Sequence, residues 1–526
     1  MMLQVLGSQC SVKPALLRTE DRELRTHFQK VETMGVAQEL RELLQRRPLQ
    51  LLVLAGLLTA VAARALYLKF CVLDLDVWWH LKVGDWIVEH YAVPHTGILS
   101  RTAANRPWVA YSWGYEVLLS RAYRWFGLVG IGVYGVLLTL AVAYSIYWMA
   151  LRLSGRFWWA CALATITCSA FLYNLMPRPV FLSMTLFTVT LTLILEANRG
   201  GRVQLLYWLP PLFVLWANLH IQFLYGLFLV GLLFGVNLLQ VVARRLGITL
   251  SSVLPPTLPT TTLGAIFAGC VVATCIGPYS YHLYVVIAEY SKAQVPYLII
   301  RELQAINFRA YSHYVQLLLT GAGFFALGWQ KKIDPFKLAL LIVASVVAFR
   351  TMRDSWFICI AAAACIADFP APETKWCRTD TWVEKSGLTA FIALALVLVA
   401  RDADFNQRGL DRAISSMYPV KALNYLRQHP ASGPLYNTLD WGGFLTWYMP
   451  DYPVAIDGRN DLYGDDLDRL FFDTERGAES YAADPYLNEA GVVLLQKDQP
   501  LAGLLMSDSR FSLIYQDRLA ALFVKR

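Results

Sequence analysis

The residues Asp74-Leu75-Asp76-Val77-Trp78-Trp79-His80-Leu81 put two carboxylates and an imidazole close together, directly after a long apolar run. At a membrane surface the local dielectric is low. A carboxylate there can hold a raised proton affinity and serve as a general base, or bind a metal or a cationic partner. Asp76 is also placed to cap the helix expected through Asp85 to about His90, and capping and solvation of a helix end is the alternative reading of both aspartates. A third acid, Glu116, closes Trp108-Val109-Ala110-Tyr111-Ser112-Trp113-Gly114-Tyr115-Glu116, which begins a second expected helix. Trp78, Trp79 and Trp86 suit an amphipathic helix in the headgroup layer, and an interfacial aromatic belt explains them without chemistry.

Three arginines are candidates for gripping phosphate: Arg178 in Met176-Pro177-Arg178-Pro179, and Arg350 and Arg353 in Arg350-Thr351-Met352-Arg353-Asp354. A guanidinium takes phosphate through a bidentate fork, and snorkelling to lipid headgroups competes with that reading at each position. His80, Asn218 and His220 are expected to line a cavity. Asp74, Asp76, His80 and Glu116 offer oxygen and nitrogen donors for Mg²⁺ or Mn²⁺, without a ligand spacing that decides for or against a metal. Asp457-Gly458-Arg459-Asn460-Asp461 reads as a turn with an internal Asp–Arg pair, and contact with an acceptor is the second reading.

These groups need a membrane frame. Of the 526 residues 56% are hydrophobic and only 16% charged, and mean hydropathy is +0.43, against roughly 25% charged in ordinary soluble domains. The chain therefore reads as an all-α polytopic membrane protein with about 11 transmembrane helices, near residues 49–73, 127–150, 157–176, 179–197, 203–219, 221–242, 261–277, 314–329, 335–349, 355–369 and 386–400. Residues 1–47 form a cytoplasmic N-terminal segment, helical from Arg18 to Arg47. Residues 48–400 form the transmembrane part, with a long first outer loop, 74–126. Residues 401–526 form a small extracytoplasmic α/β domain with a helix near 411–428, a strand Pro453–Asp457, a helix near 465–476, a strand at 491–496 and a final strand pair. Every second loop carries basic residues (Arg152 and Arg156; Arg199 and Arg202; Arg244 and Arg245; Lys331, Lys332 and Lys337; Lys375, Arg378 and Lys385), which sets the N-terminus inside and residues beyond about 401 outside. The nine cysteines include no C-x-x-C pair and read as buried free thiols. No P-loop, dinucleotide fingerprint or nucleic-acid module occurs.

A long first outer loop that opens with acids after helix one and carries two interfacial helices resembles the GT-C superfamily of membrane glycosyltransferases. Asp74-x-Asp76-x-Trp78-Trp79-His80-Leu81, Trp113-Gly114-Tyr115-Glu116, Arg178-Pro179-Val180-Phe181, Trp216-Ala217-Asn218-Leu219-His220 and Val454–Tyr463 carry the resemblance. The signature W-W-D-Y-G of oligosaccharyltransferases is missing. The resemblance implies inverting transfer of a sugar from a polyprenyl-phosphate-linked donor to a glycan, lipid or protein acceptor, at the outer face of a plasma (inner) membrane, with no nucleic acid involved. Asp74 is the first choice as base, Asp76 the second and Glu116 the third, and Arg178, Arg350 and Arg353 are the phosphate cations. Metal use varies within the superfamily and is not implied. A transporter or flippase for a lipid-linked glycan is the main rival, and a non-catalytic scaffold the second.

Overall fold

In a computed structural model, residues 46–172, 176–248, 250–369 and 382–526 are described. The expected N-terminal segment up to Gln45 and the loop with Lys375 and Arg378 lie outside the described residues. Contacts divide the chain into two units. The first comprises residues 1–56 and 380–391, whose described part is the opening turns of two helices, α1 (Arg47–Leu68) and α13 (Trp382–Asp402). The second, residues 57–379 and 392–526, contains everything below.

In their described residues the apolar runs are largely helical. After α1 come the loop helix α2 (Val77–His90), then α3 (Trp113–Ser154), α4 (Phe157–Phe171), α5 (Val180–Gly200), α6 (Leu209–Leu219) and α7 (Phe223–Arg245). α8 (Thr260–Thr274), the short helix α9 (His282–Tyr290), α10 (Tyr311–Gly328), α11 (Pro335–Arg350) and α12 (Ser355–Ala367) follow. Among the described residues α1, α3, α5 and α7 are long and apolar enough to cross a bilayer, so the chain is a membrane protein. α12 is buried on every side against α4, α10 and α11, because its run of alanines, cysteines and isoleucines offers no polar face.

One joint positions the arm that packs on α2. Gly127, at φ 60°, breaks α3 into an arm of residues 113–126 and a longer part that continues to Ser154. That backbone is open to glycine and strained for other residues. The arm is held along α2 by Asp85, which accepts from Ser120 Oγ (2.7 Å) and Arg124 Nε (2.9 Å). At the opposite end, Arg152 pairs with Glu196 at 2.6 Å, Arg199 donates to the Leu153 carbonyl, and the Val253–Ile333 bridge joins two further loops. The loops expected on one face thus contact one another.

The C-terminal segment contains α14 (Gln407–Met417), α15 (Val420–Gln428), β1 (Leu435–Asn437), α16 (Leu439–Tyr448), α17 (Asn460–Glu475), β2 (Val492–Gln496), β3 (Phe511–Gln516) and β4 (Ala520–Lys525). The sheet order is β1-β2-β4-β3, with β1 and β2 parallel and the other pairs antiparallel. The helix expected over 411–428 is two helices, broken at Tyr418-Pro419. The strand expected at Pro453–Asp457 is not one. The Asn437 side chain accepts from the Ala455 amide (2.8 Å) and donates to the Ile456 carbonyl (2.8 Å), so the buried run needs no strand partner beyond the Ser100–Val454 bridge.

This segment packs on the loop of residues 74–126. Trp78 meets Phe444 edge-on at 5.2 Å and Tyr418 at 6.0 Å, and Thr102 Oγ1 donates to the Ala455 carbonyl (2.5 Å). Arg106 pairs with Asp466 at 2.6 Å.

Candidate active site

A cavity of about 420 Å³ lies where these elements meet. Each loop expected on the outer face contributes to its wall: Asp76 and His80 from the first, Arg178 from the turn before α5, His220 after α6, Glu302 from the stretch after α9, and Arg353 from the turn between α11 and α12. The C-terminal turn adds Gly458, Asn460 and Asp461. The loops expected to share a face therefore do share one. Val180, Leu224, Val286 and Leu303 add apolar side chains to the lining.

Arg178 is the hub. Its Nε donates to Asp74 Oδ2 at 2.7 Å and its Nη2 to Asp74 Oδ1 at 2.8 Å, the bidentate geometry of a strong guanidinium–carboxylate pair. Nη1 reaches Asp76 Oδ2 at 3.1 Å and Glu302 Oε1 at 3.2 Å. Glu302 also takes Arg353 Nη2 at 2.9 Å. Two arginines thus link three carboxylates from two separate loops.

The two aspartates have different environments. Asp74 is buried, also accepts from the Asp76 amide (3.0 Å), and does not line the large cavity. Asp76 does line it. Asp76 starts α2 but makes no side-chain cap, contrary to the capping role expected, because its Oδ1 accepts from Trp79 Nε1 at 3.1 Å instead. Burial raises the Asp76 pKa, Arg178 offsets part of the rise, and the Asp74 charge adds to it. The turn at Gly458 lies against this carboxylate so closely that a Cβ there would collide with Asp76 Oδ1.

His80 lines the cavity, and its Nδ1 is 2.9 Å from Glu116 Oε1, on the buried arm of α3 behind it. Burial, then Arg178, hold the His80 pKa well below its usual value, so the ring is neutral at pH 7. His220 faces the cavity with Nδ1 2.9 Å from Ser183 Oγ, and burial and Arg353 push its pKa down to about 3. Neither histidine supplies a positive charge.

The other candidates lie elsewhere. Asn218 is outside the cavity wall: its amide donates to the Val214 and Ile276 carbonyls at 2.8 Å and accepts from Trp113 Nε1 at 3.1 Å. Arg350 ends α11 on an exposed face, 6.0 Å from the Tyr297 ring, and does not line the cavity. Asp457 and Arg459 form the internal pair expected, fully buried at 2.6 Å, while Asn460 and Asp461 beside them do face the cavity. Glu302 and Tyr290 had no sequence motif to mark them. Asp74, Asp76, His80 and Glu116 do not converge as a metal-ligand set: the aspartates turn to Arg178 and Glu116 to His80. Among the described residues no group of three or more His, Cys, Asp or Glu side chains is arranged to hold a metal ion.

No family model and no curated protein matches the chain. Among solved structures it is similar to ArnT from Cupriavidus metallidurans bound to undecaprenyl phosphate, at 14% identity and TM-score 0.43, over 89% of this chain and 97% of that one. It is also similar to the apo oligosaccharyltransferase of Archaeoglobus fulgidus, at 11% identity and TM-score 0.44, over 84% of this chain and 69% of that one.

Proposed function

We propose that the protein is a membrane glycosyltransferase that moves a sugar from a polyprenyl-phosphate-linked donor to an acceptor hydroxyl at the outer face of the membrane. The observation that carries this reading is the cavity wall, which combines a carboxylate of raised pKa, Asp76, and arginines 178 and 353 with apolar side chains. A ligand suited to such a lining has an anionic head and an apolar tail. In the proposed orientation the N-terminus is cytoplasmic, and the 74–126 loop and the chain beyond about 401 are outside; the alternation of basic loops supports it.

In the reaction, Asp76 takes the proton of the acceptor hydroxyl as its oxygen attacks the anomeric carbon. The new C–O bond forms as the bond to the phosphate oxygen breaks, with inversion, and the electron pair leaves on the polyprenyl phosphate. Arg353 meets the phosphate. Arg178 holds the two aspartates in place, since four of its contacts already go to carboxylates. Asp74 then orients Arg178 and does not touch substrate, and Glu116 orients His80.

The test uses purified protein in lipid nanodiscs with a panel of polyprenyl-phosphate-linked sugars, and follows free polyprenyl phosphate by mass spectrometry. Release that depends on an added acceptor is expected. Arg353→Ala should weaken undecaprenyl phosphate binding roughly ten- to a hundredfold, the worth of one charge-assisted hydrogen bond. Movement of intact donor across vesicle membranes without any release would replace the enzyme by a transporter.

A further inference from the structure

A second cavity, of about 550 Å³, adjoins the first. The two share Val286, Tyr290, Asn460 and Asp461 as lining residues. Its frame is fixed by contacts that leave little freedom. The Tyr279 hydroxyl donates to the Pro94 carbonyl (2.6 Å) and accepts from the Ala110 amide (3.1 Å). Asp465 accepts from the Gln294 and Val295 amides at 2.8 and 3.2 Å. Trp108 Nε1 donates to Asp461 Oδ2 at 3.0 Å.

The chemistry of this wall differs from that of the first cavity. The second cavity's lining includes Glu289, Asp461 and Asp465 with Lys292 as the one lysine or arginine among the described residues, and His95, Trp108 and Tyr279 supply aromatic surface. Such a wall repels a phosphate and suits a neutral ligand with C–H faces and hydroxyl donors. At the junction, Asn460 Oδ1 is buried without a hydrogen-bond partner. A buried acceptor left unpaired is costly, and a ligand hydroxyl would satisfy it.

We propose that the second cavity is the acceptor site, that it takes a neutral, hydroxyl-rich group of the sugar class, and that the reacting hydroxyl reaches the first cavity between Asn460 and Asp461. The assignment of this ligand as the acceptor rests on the glycosyltransferase reading above; the sugar site itself does not. Burial pushes the Asp461 pKa to about 6, partly offset by Trp108, so this carboxylate is largely ionised at pH 7 and accepts from hydroxyls.

Protein in nanodiscs is examined by saturation-transfer NMR with the methyl glycosides of glucose, galactose and mannose, and with glucose 1-phosphate as the anionic probe. Undecaprenyl phosphate binding is measured in parallel by native mass spectrometry. At least one methyl glycoside should receive saturation, and any glucose 1-phosphate signal, which belongs to the arginine-lined first cavity, should persist when the second cavity is filled. Asn460→Leu should weaken the sugar roughly two- to tenfold, as for one neutral hydrogen bond. Ala293→Trp, which fills the second cavity from a position outside the first, should abolish the sugar signal and leave undecaprenyl phosphate bound. Absence of any glycoside signal, a glycoside signal unchanged in Ala293→Trp, or a glucose 1-phosphate signal that Ala293→Trp removes overturns the proposal. A sugar signal lost in Ala293→Trp, with no undecaprenyl phosphate binding even in the wild type, sinks the donor reading and leaves the sugar site standing.

Discussion

The two aspartates of the first outer loop should respond in opposite ways to the same substitution. In Asp74→Asn the amide keeps one acceptor for the Arg178 fork but turns an NH₂ toward its second donor. One charge-assisted hydrogen bond is lost at a buried site, about 1.5–3 kcal/mol of stability. The 2.7 and 2.8 Å contacts show how tight that fork is. The base is untouched, so transfer should fall only as far as Asp76 loses its positioning. In Asp76→Asn the fork to Asp74 remains, and relief of the buried charge offsets the lost 3.1 Å contact to Arg178, so stability should change little. Transfer should then fall by roughly 10²–10⁴-fold, the usual contribution of a general base. The base acts deprotonated and its pKa is raised. The rate should therefore climb with pH through a limb above the ordinary carboxylate range, and Asp76→Asn should abolish that limb. The assay pairs thermal unfolding of purified protein with initial rates of polyprenyl phosphate release across pH. Full activity in Asp76→Asn, or a larger rate loss in Asp74→Asn at unchanged stability, would refute the division of roles.

Three further outcomes are expected. Gly458→Ala places a methyl against Asp76 Oδ1; transfer should drop while undecaprenyl phosphate binding, read by native mass spectrometry, persists. Asp468 is buried with both carboxylate oxygens unpartnered, and burial followed by the neighbouring acids pushes its pKa to about 8. Its raised folded-state pKa means a stabilisation complete below about pH 4 and lost as pH rises through about 8, so Asp468→Asn should raise the unfolding temperature at pH 9 and flatten its pH dependence. A cysteine at Ser432, in a background without accessible native thiols, should react with an impermeant thiol reagent in intact cells; labelling only after permeabilisation reverses the proposed orientation.

The apolar runs were legible because a segment of about twenty apolar residues has few other uses. The break near residue 127 was legible too, since polar groups end there and Gly127 permits the turn. Arg178 and Arg353 stood out as cations on outer loops, but nothing local distinguished Arg353 from Arg350. The difference is set by where α11 ends: Arg350 leaves on its exposed face, and Arg353 sits on the following turn, toward Glu302. Glu302 itself carries no motif, and only the packing of three loops makes it a bridge between two arginines. Asn218 was misleading because a polar residue at a helix end also serves as a tie between backbone segments. The run Val454-Ala455-Ile456 reads as a strand on apolarity alone, and the Asn437 side chain, far away in sequence, removes the need for one.

Charge balance ties the proposed roles together. If Asp76 accepts the proton, it loses one negative charge as the departing phosphate gains one. The total within the cavity is then unchanged, and the negative charge moves from one ligand of the arginine wall to another. Arg178 touches Asp76 through Nη1, and the same nitrogen touches Glu302, which in turn holds Arg353. As the carboxylate is neutralised, less of the Arg178 charge is compensated locally, and more of the positive field of the two guanidiniums acts on the phosphate that Arg353 meets. A cavity holding preorganised cations needs little reorganisation for such a shift, which is where electrostatic catalysis gains most. An incoming anionic donor also raises the proton affinity of Asp76 further, so the carboxylate becomes a stronger base only once the donor is in place.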